Sequence, residues 1–164
     1  VGKNLIRWWI AGIAGLMLAG CDGAAAPSRQ AEHSIDPATG ETVMTLPDKR
    51  GAATLRAGPS VPVALPQGFS LFPGTRVNNN ARFTRADGEG TLVTFTADAP
   101  AKDILAHYRR EAEAARFAIT LEHAAAGSLL LIGERERDGA RLAVTVTEGA
   151  PTTGQLVFSA FGSE

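Results

Sequence analysis

Beyond the N-terminus, only one stretch of this chain places its apolar residues at helical spacing, and nearly all the other patterned text alternates with period two. Ala101, Ile104, Leu105, Tyr108, Ala112 and Ala115 recur at intervals of three, four and seven, with Lys102, Asp103, Arg109, Arg110, Glu113 and Arg116 opposite. Asp98-Ala99-Pro100 in front offers an N-cap and a first-turn proline, so the spacing predicts a helix from there to about Arg116. A single amphipathic helix covers one face of a sheet and leaves the other to something else.

The strands follow from the alternation. Segments 76–84 and 91–97 flank Asp87-Gly88-Glu89-Gly90, whose glycines suit a turn, and Val93, Phe95 and Ala97 alternate with Thr94 and Thr96. After the helix, Phe117, Ile119 and Leu121 share one side of a strand, residues 124–127 turn the chain into 128–136, and Asp138-Gly139 is a strong hairpin signal. Leu142, Val144 and Val146 form the next apolar face, 149–154 a loop, and Leu156, Phe158 and Ala160 the last strand. Tight turns between consecutive strands give antiparallel pairing, so the expected fold is α+β: a two-layer sandwich of one antiparallel sheet and one helix in the order ββαββββ. Leu92, Val157 and Phe161 then point away from the helix. The reading favoured for this second face is internal cover, either by a hairpin around 42–56 or by Phe69, Leu71 and Phe72.

The N-terminus obeys other rules. Lys3 and Arg7 precede an uncharged apolar run from Trp8 to Gly20, about 13 residues, which fits the roughly 7–15 of a signal-peptide core and falls short of the ~20 needed to span a bilayer. Leu18-Ala19-Gly20-Cys21 ends that run with small residues before the only cysteine of the chain, and it resembles the lipobox of bacterial lipoproteins. The resemblance implies that Leu18, Ala19 and Gly20 serve signal recognition and that Cys21 is acylated and becomes the mature N-terminus. Two or more acyl chains, each contributing about 0.8 kcal/mol per buried methylene, make such an anchor stable. Asp22 resembles an inner-membrane retention signal, which favours the inner membrane and a periplasm-facing domain.

The expected organisation is a signal peptide at 1–20, a lipidated cysteine and flexible tether at 21–40, a small hairpin and proline-rich linker at 41–62, and the α+β domain at 63–164. Ala, Ser, Pro and Gly dominate the tether, and Pro59, Pro62 and Pro66 keep the linker from forming a helix or a central strand. Loss of 1–20 removes Lys3 and Arg7 and no acid, which leaves 14 basic against 17 acidic residues, a net charge near −3. Without a basic stripe, nucleic acid is not an expected partner. With Cys21 acylated, no thiol remains for a disulfide.

No reactive constellation stands out. His33, His107 and His123 lack metal-ligand spacing, and His107 with Glu111 reads as a surface pair four apart on the helix. Ser60, Ser70, Ser128 and Ser159 lack the Gly-x-Ser-x-Gly elbow, and Gly88-x-Gly90 lacks the third glycine of a dinucleotide loop. Asp98, Asp103 and Glu134 stay open as carboxylates that only the fold brings together. Asn78-Asn79-Asn80, with Arg82 and Arg85, reads as a polar edge strand. The expectation is therefore a protein without catalytic residues, metal or cofactor.

Leu65-Pro66-Gln67-Gly68-Phe69-Ser70-Leu71-Phe72-Pro73-Gly74, the strand pair after it, and His107-Tyr108 on the helix resemble a small domain of bacterial envelope proteins. There a Leu-Pro segment runs into Tyr-Pro-Gly-Ala and a later helix carries Phe-Tyr; here Phe72, Thr75 and Arg116 depart from that pattern. The resemblance spans about 63–161 and implies architecture alone, with Pro73-Gly74 turning into the first strand and Tyr108 packing the helix. The combined expectation is a membrane-anchored, non-enzymatic lipoprotein whose module binds or assembles with an envelope protein. The alternatives are a hydrolase of envelope polymers and a structural subunit that docks through a sheet face.

Overall fold

A computed structural model describes residues 32–48 and 51–161. Among them nine strands form one antiparallel sheet: β1 (Glu32–Ile35), β2 (Thr42–Asp48), β3 (Gly51–Gly58), β4 (Arg76–Arg85), β5 (Gly88–Ala97), β6 (Ala118–Ala125), β7 (Ser128–Arg135), β8 (Ala140–Thr147) and β9 (Thr152–Phe161). The one helix among the described residues, α1 (Ala101–Ala114), follows β5. In space the order is β1-β2-β3-β4-β5-β9-β8-β7-β6. The chain meanders to the middle of the sheet, crosses along α1 to the far edge, and meanders back until β9 pairs with β5. The expected ββαββββ order and two-layer α+β class are both present, as β4 through β9.

The differences are local and have physical causes. Glu32–Ile35 pair with β2 inside the stretch read as tether, and β2–β3 are continuous with the main sheet because Thr54 to Gly58 pair with Thr84 to Asn80. Consequently β4 is no edge strand. Asn80 on it is fully buried and donates from Nδ2 to the carbonyls of Val61 and Pro62, at 3.2 and 2.9 Å. The turn between β4 and β5 falls at Ala86-Asp87, since Arg85 already pairs with Gly88. Gly88 and Gly90 are needed for close approach instead: a Cβ at Gly88 would meet the Ala160 backbone, and one at Gly90 the Phe83 ring. Asp98 does not cap α1; Pro100 is the N-cap residue, without a side-chain cap bond.

Between the layers, Ala101, Ile104, Leu105, Tyr108 and Ala112 of α1 pack on Val93, Phe95, Leu131, Leu142, Val144 and Leu156. Burial of each large apolar side chain contributes roughly 1.5–3 kcal/mol. The proline-containing segment 63–72 has no regular structure yet straps this core, with Val63, Leu65, Phe69, Leu71 and Phe72 packed against it. Phe69 meets Phe117 and Phe158 edge-on, at ring separations of 5.7 and 4.6 Å. Tyr108 fixes the strap to the helix, because its hydroxyl accepts the Phe72 N–H at 3.1 Å.

The C-terminus of α1 is a Schellman motif. The Phe117 N–H bonds the Ala112 carbonyl at 2.9 Å and the Arg116 N–H the Glu113 carbonyl at 3.0 Å. Arg116 thereby takes a left-handed conformation, φ 64°, at a position that usually holds glycine. A side chain there costs roughly 1 kcal/mol.

Candidate functional site

The strap brings together residue types that invite a catalytic reading. Ser70 Oγ donates to Glu111 Oε1 at 2.6 Å, the Ser70 N–H reaches Oε2 at 3.2 Å, and His107 Nε2 lies 3.2 Å from Oε1 and 3.5 Å from Ser70 Oγ. In a hydrolytic triad the acid holds Nδ1 while the serine gives its proton to Nε2. Here serine and carboxylate meet the same ring nitrogen, and the serine proton is already on the carboxylate side. The group is a clasp between the strap and α1. Its serine–glutamate link spans 41 residues and leaves no mark in sequence spacing.

The other expected candidates stay apart. Asp98 pairs with Arg76 at 3.4 Å and Glu134 with Arg141 at 3.2 Å, while Asp103 lies in the first turn of α1. His33 is on β1 and His123 on β6, both exposed. Among the described residues no three His, Cys, Asp or Glu side chains are grouped to hold a metal ion. The Tyr108 phenol is pushed up to about 12 by burial, against the opposing pull of the Phe72 N–H.

Two surfaces stand out by their composition. On the sheet face away from α1, the cross-strand register lines up Ala57, Ala81, Leu92, Val157, Ala143, Ile132 and Leu121, one from each of seven adjacent strands. Leu121 is 45% exposed. The Arg141–Glu134 pair lies in the next row, and Thr94, Gln155 and Thr145 in the row on the other side. The internal cover expected for this face is absent among the described residues. Phe69, Leu71 and Phe72 pack on the helix side, and the 42–56 hairpin extends the sheet edgewise instead of folding over it.

On the helix side, a cavity of about 280 Å³ opens beneath the strap, walled by Leu65, Pro66, Phe117, Ala140 and Phe158. Arg82 and Glu89, paired at 2.6 Å, also line it. Pro66 and Arg135 separate it from a cleft of about 420 Å³ lined by Arg116, Arg135 and Arg137. The Arg135 guanidinium lies 4.6 Å from the Phe117 ring centre, donates from Nε to Asp138 Oδ1 at 2.9 Å, and bonds the Ala115 carbonyl at 3.3 Å. That hydrogen bond from Arg135 is the main cause holding the Asp138 carboxyl below its ordinary range.

Comparison of the chain with protein-family models, curated proteins and solved structures finds no match. Cys21, with Leu18, Ala19, Gly20 and Asp22, lies outside the described residues. Among the described residues no helix is long and apolar enough to cross a membrane. Sequence reasoning named Val157 and Leu92 on the sheet face away from α1. It missed the arginine cleft, whose three guanidiniums come from the end of α1 and from β7 with the turn after it.

Proposed function

We propose that this chain is a bacterial lipoprotein, acylated on Cys21 and held at the periplasmic face of a membrane, that presents its α+β module for binding and assembly in the cell envelope. The observation that carries the reading is the Leu18-Ala19-Gly20-Cys21 run directly behind a short apolar core and two basic residues. Asp22 favours the inner membrane. Among the described residues the sheet begins at Glu32, eleven positions beyond the cysteine, so the lipid would hold the domain within about 40 Å of the bilayer surface. An envelope protein is the partner that suits an uncovered apolar row of this extent.

The test is Cys21→Ala in a cell that processes lipoproteins. The wild type partitions with membranes and its mature N-terminal peptide carries the acyl mass, whereas the variant is recovered in the soluble periplasmic fraction. Unmodified Cys21 in the mature wild-type protein would remove the anchor from the proposal. Chemical crosslinking of the membrane-held wild type, compared with a Val157→Lys chain, then reads the assembly arm. Crosslinked products unchanged by that substitution would place assembly elsewhere.

A further inference from the structure

We propose that the cavity under the strap and the arginine cleft beside it form one site for a single-chain anionic amphiphile, with the apolar body beneath Leu65 and the anionic head among Arg116, Arg135 and Arg137. It deepens the binding reading above by naming a ligand class. It is tested without the lipid, so a failed anchor and a failed cavity give separate results.

The two halves differ in chemistry and share a wall. Phe117, Phe158 and Leu65 give the 280 Å³ cavity an apolar wall, with the paired Arg82 and Glu89 at another side of it. That volume is nearly twice the roughly 150 Å³ known to accept benzene, so it suits a body of about ten carbons and is too small for the two tails of a diacyl lipid. Next to it, the cleft is lined by three arginines, two of which pair with the Asp138 carboxylate, and Pro66 and Arg135 line both spaces.

The arginines that line the cavity alone are each paired with an acid, whereas the cleft sets three arginines against one acid. Arg82 is neutralised by Glu89, and Arg141, whose side chain lies on the opposite face of the sheet, by Glu134. Asp138 serves both Arg135 and Arg137, while the Arg116 side chain has no ion pair among the described residues. Arg135 is also preorganised. Its side chain is only 12% exposed, and Asp138, the Ala115 carbonyl and the Phe117 ring hold it in place. Three of its five N–H donors are used, which leaves two for an oxygen of the ligand.

Arg116 supplies an independent sign. It stands in a left-handed conformation that glycine would fill without strain, and it lines the cleft. Strained backbone persists where the surroundings over-determine it, and such positions cluster at ligand clamps and active sites. A carboxylate, phosphate monoester or sulfonate on a hydrocarbon or aromatic body has the chemistry this site recognises. Zwitterionic and cationic amphiphiles do not.

The experiment titrates decanoate, decylamine and inorganic phosphate separately into the full chain carrying Cys21→Ala, with binding read by calorimetry and by chemical shifts of the cavity methyl groups. Decanoate is expected to bind at least tenfold more tightly than either of the others. Arg116→Gly is expected to weaken decanoate about fivefold while raising the thermal midpoint, a split that a purely structural arginine would not produce. Ala160→Trp, at an exposed position on the cavity wall, is expected to weaken decanoate at least tenfold with an unchanged circular dichroism spectrum. Equal affinity for decanoate and decylamine, no decanoate binding, or a decanoate affinity left unchanged by either substitution overturns the proposal.

Discussion

Tyr108 joins strap to helix through one hydroxyl, and Tyr108→Phe isolates that link because the ring and its packing remain. The hydroxyl accepts the Phe72 N–H at 3.1 Å in a part-buried position, so its removal leaves that donor unpaired. An orphaned buried donor costs about 1–3 kcal/mol, and partial access to water points to the lower half of that range. The same hydroxyl makes the wild type sensitive to alkali. Burial raises the phenol from its ordinary 10 to about 12 in the folded state, so the unfolded chain releases its proton first as pH rises. Stability from this group is therefore intact below pH 10 and is lost between 10 and about 12, by up to roughly 3 kcal/mol at ~1.4 kcal/mol per unit. The phenylalanine variant has nothing to titrate at this position, so the two stability curves should cross: wild type ahead near neutrality, the variant level or ahead at the alkaline end. Urea unfolding across pH gives both curves. Tyr108 is the only tyrosine in the chain, so tyrosinate absorbance reports its midpoint directly. A native midpoint near 10, or parallel curves that never converge, would refute the burial argument.

Gly154→Ala places a methyl on the Phe95 ring at the centre of the core, and overpacking of this kind should cost about 3 kcal/mol, seen as a lower urea midpoint with an unchanged slope. Arg116→Gly should raise stability by up to about 1 kcal/mol, since glycine adopts the left-handed conformation freely; a fall in thermal midpoint would mean that Arg116 makes contacts that outweigh its strain. Val157→Lys on the open sheet face should change monomer stability by less than about 1 kcal/mol, because its side chain lies outside the packed core; a loss of several kcal/mol would mean that something covers that face.

The fold was legible where local pattern and global need agree. Val93, Phe95 and Ala97 alternate because one side of β5 is buried, and Ile104, Leu105 and Tyr108 recur because one stripe of α1 lies on it. Both periods are local geometry and need no knowledge of neighbours. Gly88 and Gly90 misled for the opposite reason. The same missing side chain permits a turn or admits a neighbouring strand, and only the Ala160 backbone and the Phe83 ring decide between them. Glu32–Ile35 carry too little pattern to announce a strand, and they pair because β2 offers an edge.

The site is harder to read because its parts have separate local justifications. Arg135 looks like a strand-end charge, Arg137 like a turn residue and Arg116 like the polar side of an amphipathic helix; each reading holds at its own position. Their convergence depends on the Schellman turn that ends α1 beside the β7–β8 hairpin, and on the strap that closes over Phe117 and Phe158. Helix, hairpin and strap are distant in sequence, so no periodicity links them. The one local sign is an arginine where a helix of this length should end in glycine. That conflict between side chain and backbone is visible only once the helix terminus is known to within a residue. A strained cap left at an edge strand would mean little. Beside a preorganised guanidinium and a cavity with an apolar wall, it is the local conflict on which the proposed anion site rests.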